Sequence, residues 1–155
     1  MTVFAWERTV QGGIARMSQP VLPTVRVLNI ILAGEEVMTT AAPWLVAGVL
    51  LTSGWPVALL IAVALLTARH VEAWAKTLAH RGRPRDETET GLPSGDCAIV
   101  TIWALPLLGW WGFLPIAFVV WARMALGAHW PLDVLAGAGT GVVLVAPALL
   151  IRGSL

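Results

Sequence analysis

Five long apolar stretches alternate with short polar breaks along most of this chain. Val37 to Leu51 stops at Thr52-Ser53-Gly54-Trp55-Pro56, and Val57 to about Ala75 runs on into a charged region. A third stretch begins near Cys97 and ends at Gly109-Trp110-Trp111-Gly112. A fourth covers Phe113 to about Met124, and a fifth covers Leu132 to Ile151. The lengths suit helices, and several fall short of the ~20 residues that cross a bilayer, so polar ends extend them. Upstream, Val3, Phe4, Trp6, Val10 and Ile14 recur at roughly helical spacing and predict an interfacial amphipathic helix. A frayed terminus is the alternative. Pro20 and Pro23 break the chain, and Val25 to Leu32 forms a helix too short to span. The predicted organisation is all-α. Residues 1–34 form N-terminal interfacial helices, and residues 35–155 form a membrane-embedded bundle of about five transmembrane helices.

Composition sharpens this picture. Of 155 residues, 57% are hydrophobic and 12% charged, with a mean hydropathy of +0.78. Soluble domains carry about a quarter charged residues. Disordered chains and charge-rich coiled coils are excluded. A net charge of +1 leaves no electrostatic footprint for nucleic acid. Nine Trp and no Tyr fit an aromatic belt. One cysteine, Cys97, allows neither an intramolecular disulfide nor a cysteine zinc cluster. The first sixteen residues, with Glu7, Arg8 and Arg16, lack the apolar core of a secretory signal. Gly137-Ala138-Gly139-Thr140-Gly141 has no strand before it, so it reads as small-residue helix packing and not as a nucleotide loop.

The polar residues concentrate in two places. Residues 69–96 hold Arg69, His70, Glu72, Lys76, His80, Arg81, Arg83, Arg85, Asp86, Glu87, Glu89 and Asp96. The turn after the fourth helix holds Arg123, His129 and Asp133. Two helices separate these segments, so both lie on one side of the membrane. The Trp-bearing turns at 53–55 and 109–112 lie on the other. Ionisable residues near membrane depth are costly and default to functional candidates. Arg85, Asp86, Glu87 and Glu89 fit an ordinary solvated loop; Arg123, His129 and Asp133 have few structural reasons to be where they are. His70, on an apolar helix, fits a packed or interfacial residue.

Spacing adds chemistry. If the second helix continues past Ala75, Lys76, His80 and Arg83 share one face. Fixed cations on one face receive a phosphate. Pro93-Ser94-Gly95-Asp96 suits a tight turn into a helix N-terminus, where free N–H groups favour an anion and Ser94 adds a hydroxyl. Arg123 ends a helix, and Pro131 suits a first helical turn. Asp133 near His129 can orient the imidazole and stabilise its cation, leaving the other ring nitrogen free to attack. These parts favour phosphoryl transfer through a phosphohistidine. Fixed Lys and Arg can neutralise the phosphate oxygens, so no metal and no cofactor is expected.

Lys76-x6-Arg83-Pro84, then Pro93-Ser94-Gly95, then Arg123-x5-His129-x3-Asp133 resembles the three-part motif of the type-2 phosphatidic acid phosphatase family, related to vanadium haloperoxidases. The order and internal spacings agree. The resemblance implies a helical bundle with its site at one membrane face. It implies that Lys76, Arg83 and Arg123 clamp the phosphate, and that Ser94 and the Gly95 backbone bind its oxygens. His129 would be the nucleophile and Asp133 its orienting partner. The implied reaction is metal-independent removal of phosphate from a lipid phosphate or diphosphate.

Two positions depart from the family pattern. Ala122 replaces the usual Ser before the third-part arginine. Asp96 stands where the family usually has the histidine that protonates the leaving oxygen. An ordinary Asp, with a pKa of about 3.9, is a poor acid at neutral pH. Three readings stand open: Asp96 is an acid raised by burial; His80 replaces the missing histidine; or the leaving group needs little protonation, as with a diphosphate. Asp96 also favours a second function class, a phosphate-lipid-binding scaffold or regulator without turnover. A transporter or channel would spread its polar residues through several spans, and here they cluster at one face. The expected partners are a lipid phosphate and the bilayer of a prokaryotic plasma membrane, and the sequence assigns no oligomeric state. Arg8, Arg16 and Arg26 point to a cytoplasmic site by the positive-inside tendency, whereas the resemblance implies an extracytoplasmic one.

Overall fold

The structure is a computed structural model that describes residues 4–33, 35–85 and 88–154. Its described residues form helices α1 (Ala5–Ser18), α2 (Leu22–Ala33), α3 (Glu35–Ser53), α4 (Trp55–Ala79), α5 (Gly95–Leu108), α6 (Phe113–Ala125) and α7 (Pro131–Ser154). No strand forms among them. The five expected apolar helices are α3 to α7, and the short apolar helix at Val25–Leu32 lies within α2. Among the described residues three apolar stretches are long enough to cross a membrane: Trp55–Ala79, Gly95–Ala125 and Pro131–Gly153. The chain is an all-α membrane protein.

The middle stretch is folded back on itself. A 3-10 turn at Gly109–Gly112 separates α5 from α6. Arg123 near the end of α6 lies 2.8 Å from Asp96 at the start of α5. The two helices therefore run antiparallel, and each covers only about 20 Å of depth at 1.5 Å per residue. The side count made from the sequence holds: the polar segments meet at one end of the bundle. Trp55, Trp110 and Trp111 stand exposed at the other.

Burial follows helical period. On α4, Val57, Ala58, Ile61, Ala64 and Ala68 face inward, while Leu59, Val63 and Leu66 face outward. A helix apolar on both faces has lipid as its outer partner. Helix α5 is the centre: Cys97, Val100, Ile102 and Ala104 are fully buried. One core cluster joins α3, α4 and α7 through Val49, Val57, Ile61 and Val145. A second joins α5, α6 and α7 through Cys97, Val100, Val119 and Val134.

Helices α5 and α7 make the closest approach, and the glycines of the fifth stretch allow it. A Cβ on Gly141 would lie 2.6 Å from the Ala98 carbonyl oxygen, and one on Gly137 would run into the Ser94 carbonyl. Gly139, on another face, has nothing within 4 Å. Small-residue packing is thus what this segment does, and it seats the N-terminus of α5 against the first turns of α7.

The N-terminal segment is helical, with its polarity turned inward. Phe4, Trp6 and Val10 are exposed, whereas Glu7 and Gln11 are buried. The Gln11 side-chain amide donates to the Met124 carbonyl at 2.6 Å. Val3, part of the expected apolar pattern, lies outside the described residues, as do Asp86 and Glu87 of the expected solvated loop. Arg85 and Glu89 of that loop are exposed.

Gly141→Leu should separate α5 from α7 and lower stability by about 1–3 kcal/mol, read as a lower melting temperature in detergent. Gly139→Leu should leave it within ~0.5 kcal/mol.

Candidate active site

Helix α4 ends at Ala79, because His80 adopts a left-handed conformation (φ 42°, ψ 40°) that turns the chain out of the helix. The expected face of Lys76, His80 and Arg83 therefore does not exist. Lys76 lies on the last turn of α4, His80 is exposed at the cap, and Arg83 sits in the following loop. Among the described residues His80 is not one of the partners of His129 or Asp96. Arg83 reaches the site by another route. Gly82 and Thr90 form an antiparallel bridge. Within this narrow loop Arg83 donates its backbone N–H to the Glu89 carbonyl at 3.0 Å and pairs with the Glu89 carboxylate at 2.6 Å.

The loop is pinned to the α6–α7 turn. Trp130 donates its indole N–H to the Gly82 carbonyl at 2.9 Å. The Ser94 backbone N–H donates to the Asp133 carbonyl at 2.9 Å. His129, 2% exposed, lies 2.8 Å through Nδ1 from the Gly91 carbonyl. A carbonyl only accepts, so Nδ1 carries the proton. Its Nε2 lies 3.1 Å from a guanidinium nitrogen of Arg123, which only donates, so Nε2 carries the lone pair. Burial, and then the Arg123 and Arg83 cations, hold the imidazole down at about 3, against the lifting effect of the Gly91 carbonyl. At neutral pH the ring is a neutral imidazole with its free lone pair on the cationic side.

This corrects the expected His129–Asp133 pairing. Asp133 stands 3.9 Å from Nδ1, beyond hydrogen-bond distance. The group that fixes the ring is the Gly91 carbonyl. Asp133 instead reaches back from the third position of α7 to accept the Trp130 backbone N–H at 2.9 Å, half of a capping box. Its other oxygen lies 3.6 Å from Arg81. Pro131 occupies the first helical position, as expected.

Arg81 and Glu7 are functional-segment residues that the spacing did not single out. Arg81 is 2% exposed and Glu7 is 0% exposed, and they pair at 2.5 Å. Glu7 also accepts the Leu132 backbone N–H at 3.2 Å and that of Phe4 at 3.1 Å. Burial alone would push the Glu7 carboxyl up; the Arg81 hydrogen bond and the two backbone donors outweigh it and hold it below its ordinary value. The Arg81 carbonyl accepts the Gly91 N–H at 2.7 Å. One residue thus anchors both the N-terminal helix and the glycine that holds His129. The sequence signal was a lone carboxylate, Glu7, on the wrong face of an apolar helix pattern.

The three cations converge. Lys76, Arg83 and Arg123 all act electrostatically on both His129 and Asp96. Arg123 bridges the two, with one guanidinium nitrogen on His129 and the other on Asp96. Helix α5 begins at Gly95, with Ser94 as N-cap and its hydroxyl fully buried. A Cβ on Gly95 would run into the Glu72 carboxylate, which pairs with Lys76 one turn along α4. Glu72 is a third residue missed, although its i, i+4 spacing from Lys76 was visible. No three His, Cys, Asp or Glu residues among the described ones are grouped to hold a metal.

Breaking the buried clasp should be costly. Arg81→Met leaves the Glu7 carboxylate buried without its charge partner and should lower stability by about 3–5 kcal/mol, with Glu7→Gln/Arg81→Met recovering most of it in a double-mutant cycle.

His129 also predicts a pH dependence. Its pKa is near 6.5 unfolded and about 3 folded, so the unfolded chain binds the extra proton between these values. Its contribution to stability is full above pH 6.5 and declines as pH falls toward 3. Glu7 is held below 4.5, so the part due to the histidine is read between 4.5 and 6.5 as the difference between the wild type and a variant without it. Going from pH 6.5 to 4.5, melting temperature should fall more in the wild type than in His129→Gln.

A family model described as the PAP2 superfamily matches residues 53–154. No curated protein and no solved structure matches the chain.

Proposed function

Because the chain belongs to the PAP2 superfamily, whose members are phosphatases, we propose that it removes the terminal phosphate from a lipid-linked phosphate or diphosphate through a phosphohistidine. The observation that carries this reading is the protonation pattern of His129: Nδ1–H donates to Gly91, and the Nε2 lone pair faces Arg123 among three cations.

In this mechanism Lys76, Arg83 and Arg123 neutralise the phosphoryl oxygens, and the first N–H groups of α5 with the Ser94 hydroxyl receive one of them. His129 Nε2 attacks phosphorus. A P–N bond forms as the P–O bond to the leaving group breaks, and the leaving oxygen takes the electron pair. Gly91 keeps the Nδ1 proton in place and stabilises the ring as it gains positive character. Water then attacks phosphorus. The P–N bond breaks, Nε2 recovers its lone pair, and the water proton passes to Asp96 and out to solvent. Asp133 acts as a positioning residue: it caps α7 and its carbonyl holds Ser94. Fixed cations do the work of charge neutralisation, and the step calls for no metal.

Asp96 decides the leaving group. Its carboxylate is held by the Arg123 guanidinium at 2.8 Å. A carboxylate oxygen committed to a guanidinium is not free to serve a leaving group as proton donor. A leaving group that departs as a phosphate needs no such donor. One turn below the site there is room for the lipid part of such a substrate. An apolar cavity of about 710 Å³ opens between α3 and α4, lined by Leu45, Val46, Leu65, Leu66, Arg69 and Ile99. Arg69 is one turn before Glu72, and Ile99 one turn after Gly95.

Phosphate release from polyprenyl diphosphate and phosphatidate, followed across pH, tests the reading. The wild type should release phosphate and yield an acid-labile, alkali-stable phosphoenzyme on rapid quench. His129→Ala should lose at least ~10³-fold in rate. Binding of the lipids without release at any pH would favour the scaffold reading that Asp96 also permits.

A further inference from the structure

Beside the nucleophile lies a second cationic cleft that the three-part motif does not include. Its volume is about 260 Å³, and Arg26, Arg83, Arg85, Glu89, Gly127 and Ala128 line it. Arg26 comes from α2, Arg83 and Arg85 from the loop after α4, and Gly127 and Ala128 from the turn that delivers His129. Three guanidiniums face one carboxylate, and that carboxylate is already paired with Arg83. Arg26 and Arg85 have no ion-pair partner among the described residues. The backbone is shaped around Arg85: Gly127 has φ +67°, and a Cβ there would lie 2.9 Å from the Arg85 side chain. Arg83 belongs to both clefts, since it acts on His129 and lines this one.

Two phosphate-sized cationic sites that share an arginine fit two linked phosphates. We propose that the Arg26/Arg85 cleft binds the inner phosphate of a diphosphate monoester while the terminal phosphate lies against His129. The proposal rests on the hydrolase reading above and specifies its substrate. His129 Nε2 attacks the terminal phosphorus, and the bond to the bridging oxygen breaks. The bridging oxygen leaves with the electron pair on the lipid monophosphate, which Arg26 and Arg85 hold as it takes up the added negative charge. Stabilising the leaving phosphate in this way lowers the demand for a proton from Asp96, whose carboxylate is engaged by Arg123. Guanidinium is suited to the task because it pairs with phosphate oxygens in bidentate fashion.

The test uses the full chain in detergent, with Arg26→Gln/Arg85→Gln and each single variant. Both positions are exposed, so the fold is kept. Geranylgeranyl diphosphate and geranylgeranyl monophosphate serve as substrates, and inorganic pyrophosphate and orthophosphate as competing ligands. The wild type should prefer the diphosphate. The double variant should lose at least ~10-fold in kcat/KM on the diphosphate and change less than ~2-fold on the monophosphate. Pyrophosphate should bind the wild type at least ~10-fold more tightly than orthophosphate, and the double variant should lose that difference. Equal kinetics on the diphosphate in wild type and double variant, or an equal loss on both substrates, would overturn the proposal. So would a wild type that hydrolyses only the monophosphate, which leaves the phosphatase reading standing. If no substrate turns over, the phosphatase reading fails, and the pyrophosphate preference still decides this one.

Discussion

The buried guanidinium of Arg81 is the interaction on which the site depends. Its side chain joins the N-terminal helix, through Glu7, to the first turn of α7, through Asp133. Its carbonyl holds Gly91, and the Gly91 carbonyl holds His129. A buried charge must be paired or it costs several kcal/mol. This constraint fixes three pieces of chain distant in sequence at once. The result is a histidine whose tautomer is set by a backbone carbonyl and not by a carboxylate. A carbonyl can only accept, so the nitrogen that keeps its lone pair is defined without any titratable partner.

The cationic end of the bundle is arranged around that ring. Burial and neighbouring positive charge keep the imidazole neutral at physiological pH. The same cations would be unstable neighbours for one another without anions between them. Glu72 on Lys76, Asp96 on Arg123 and Glu89 on Arg83 supply those anions. In the proposed mechanism a phosphate entering the site competes with these carboxylates for the guanidinium and ammonium groups. The protein thus stabilises a cluster of cations at one end of the bundle by giving each an internal counter-ion.

The bundle supports this arrangement by close approach. Glycines on α7 let α5 come near enough for the N-cap of one helix to bond to the first turn of the other. The antiparallel α5–α6 hairpin returns Arg123 to Asp96. Outward-facing Leu, Val and Trp side chains leave the remaining surfaces to lipid.

Periodicity and composition, which are local properties, determined the all-α membrane fold, the five apolar helices and the glycine packing of α7. Counting helices determined that the two polar segments share a side. The motif spacings determined which cations and which histidine meet, because the family pattern is kept at Lys76, Arg83, Ser94, Arg123 and His129. Only the tertiary structure decided how they meet. No sequence rule stops α4 at Ala79, because a left-handed His80 is dictated by the loop it must enter. Nothing local assigns the His129 proton to Gly91, since backbone carbonyls are the same at every residue and differ only in where folding places them. The inward polar face of α1 was equally invisible, because Glu7 gains its meaning from Arg81, a partner 74 residues away that only folding brings within reach.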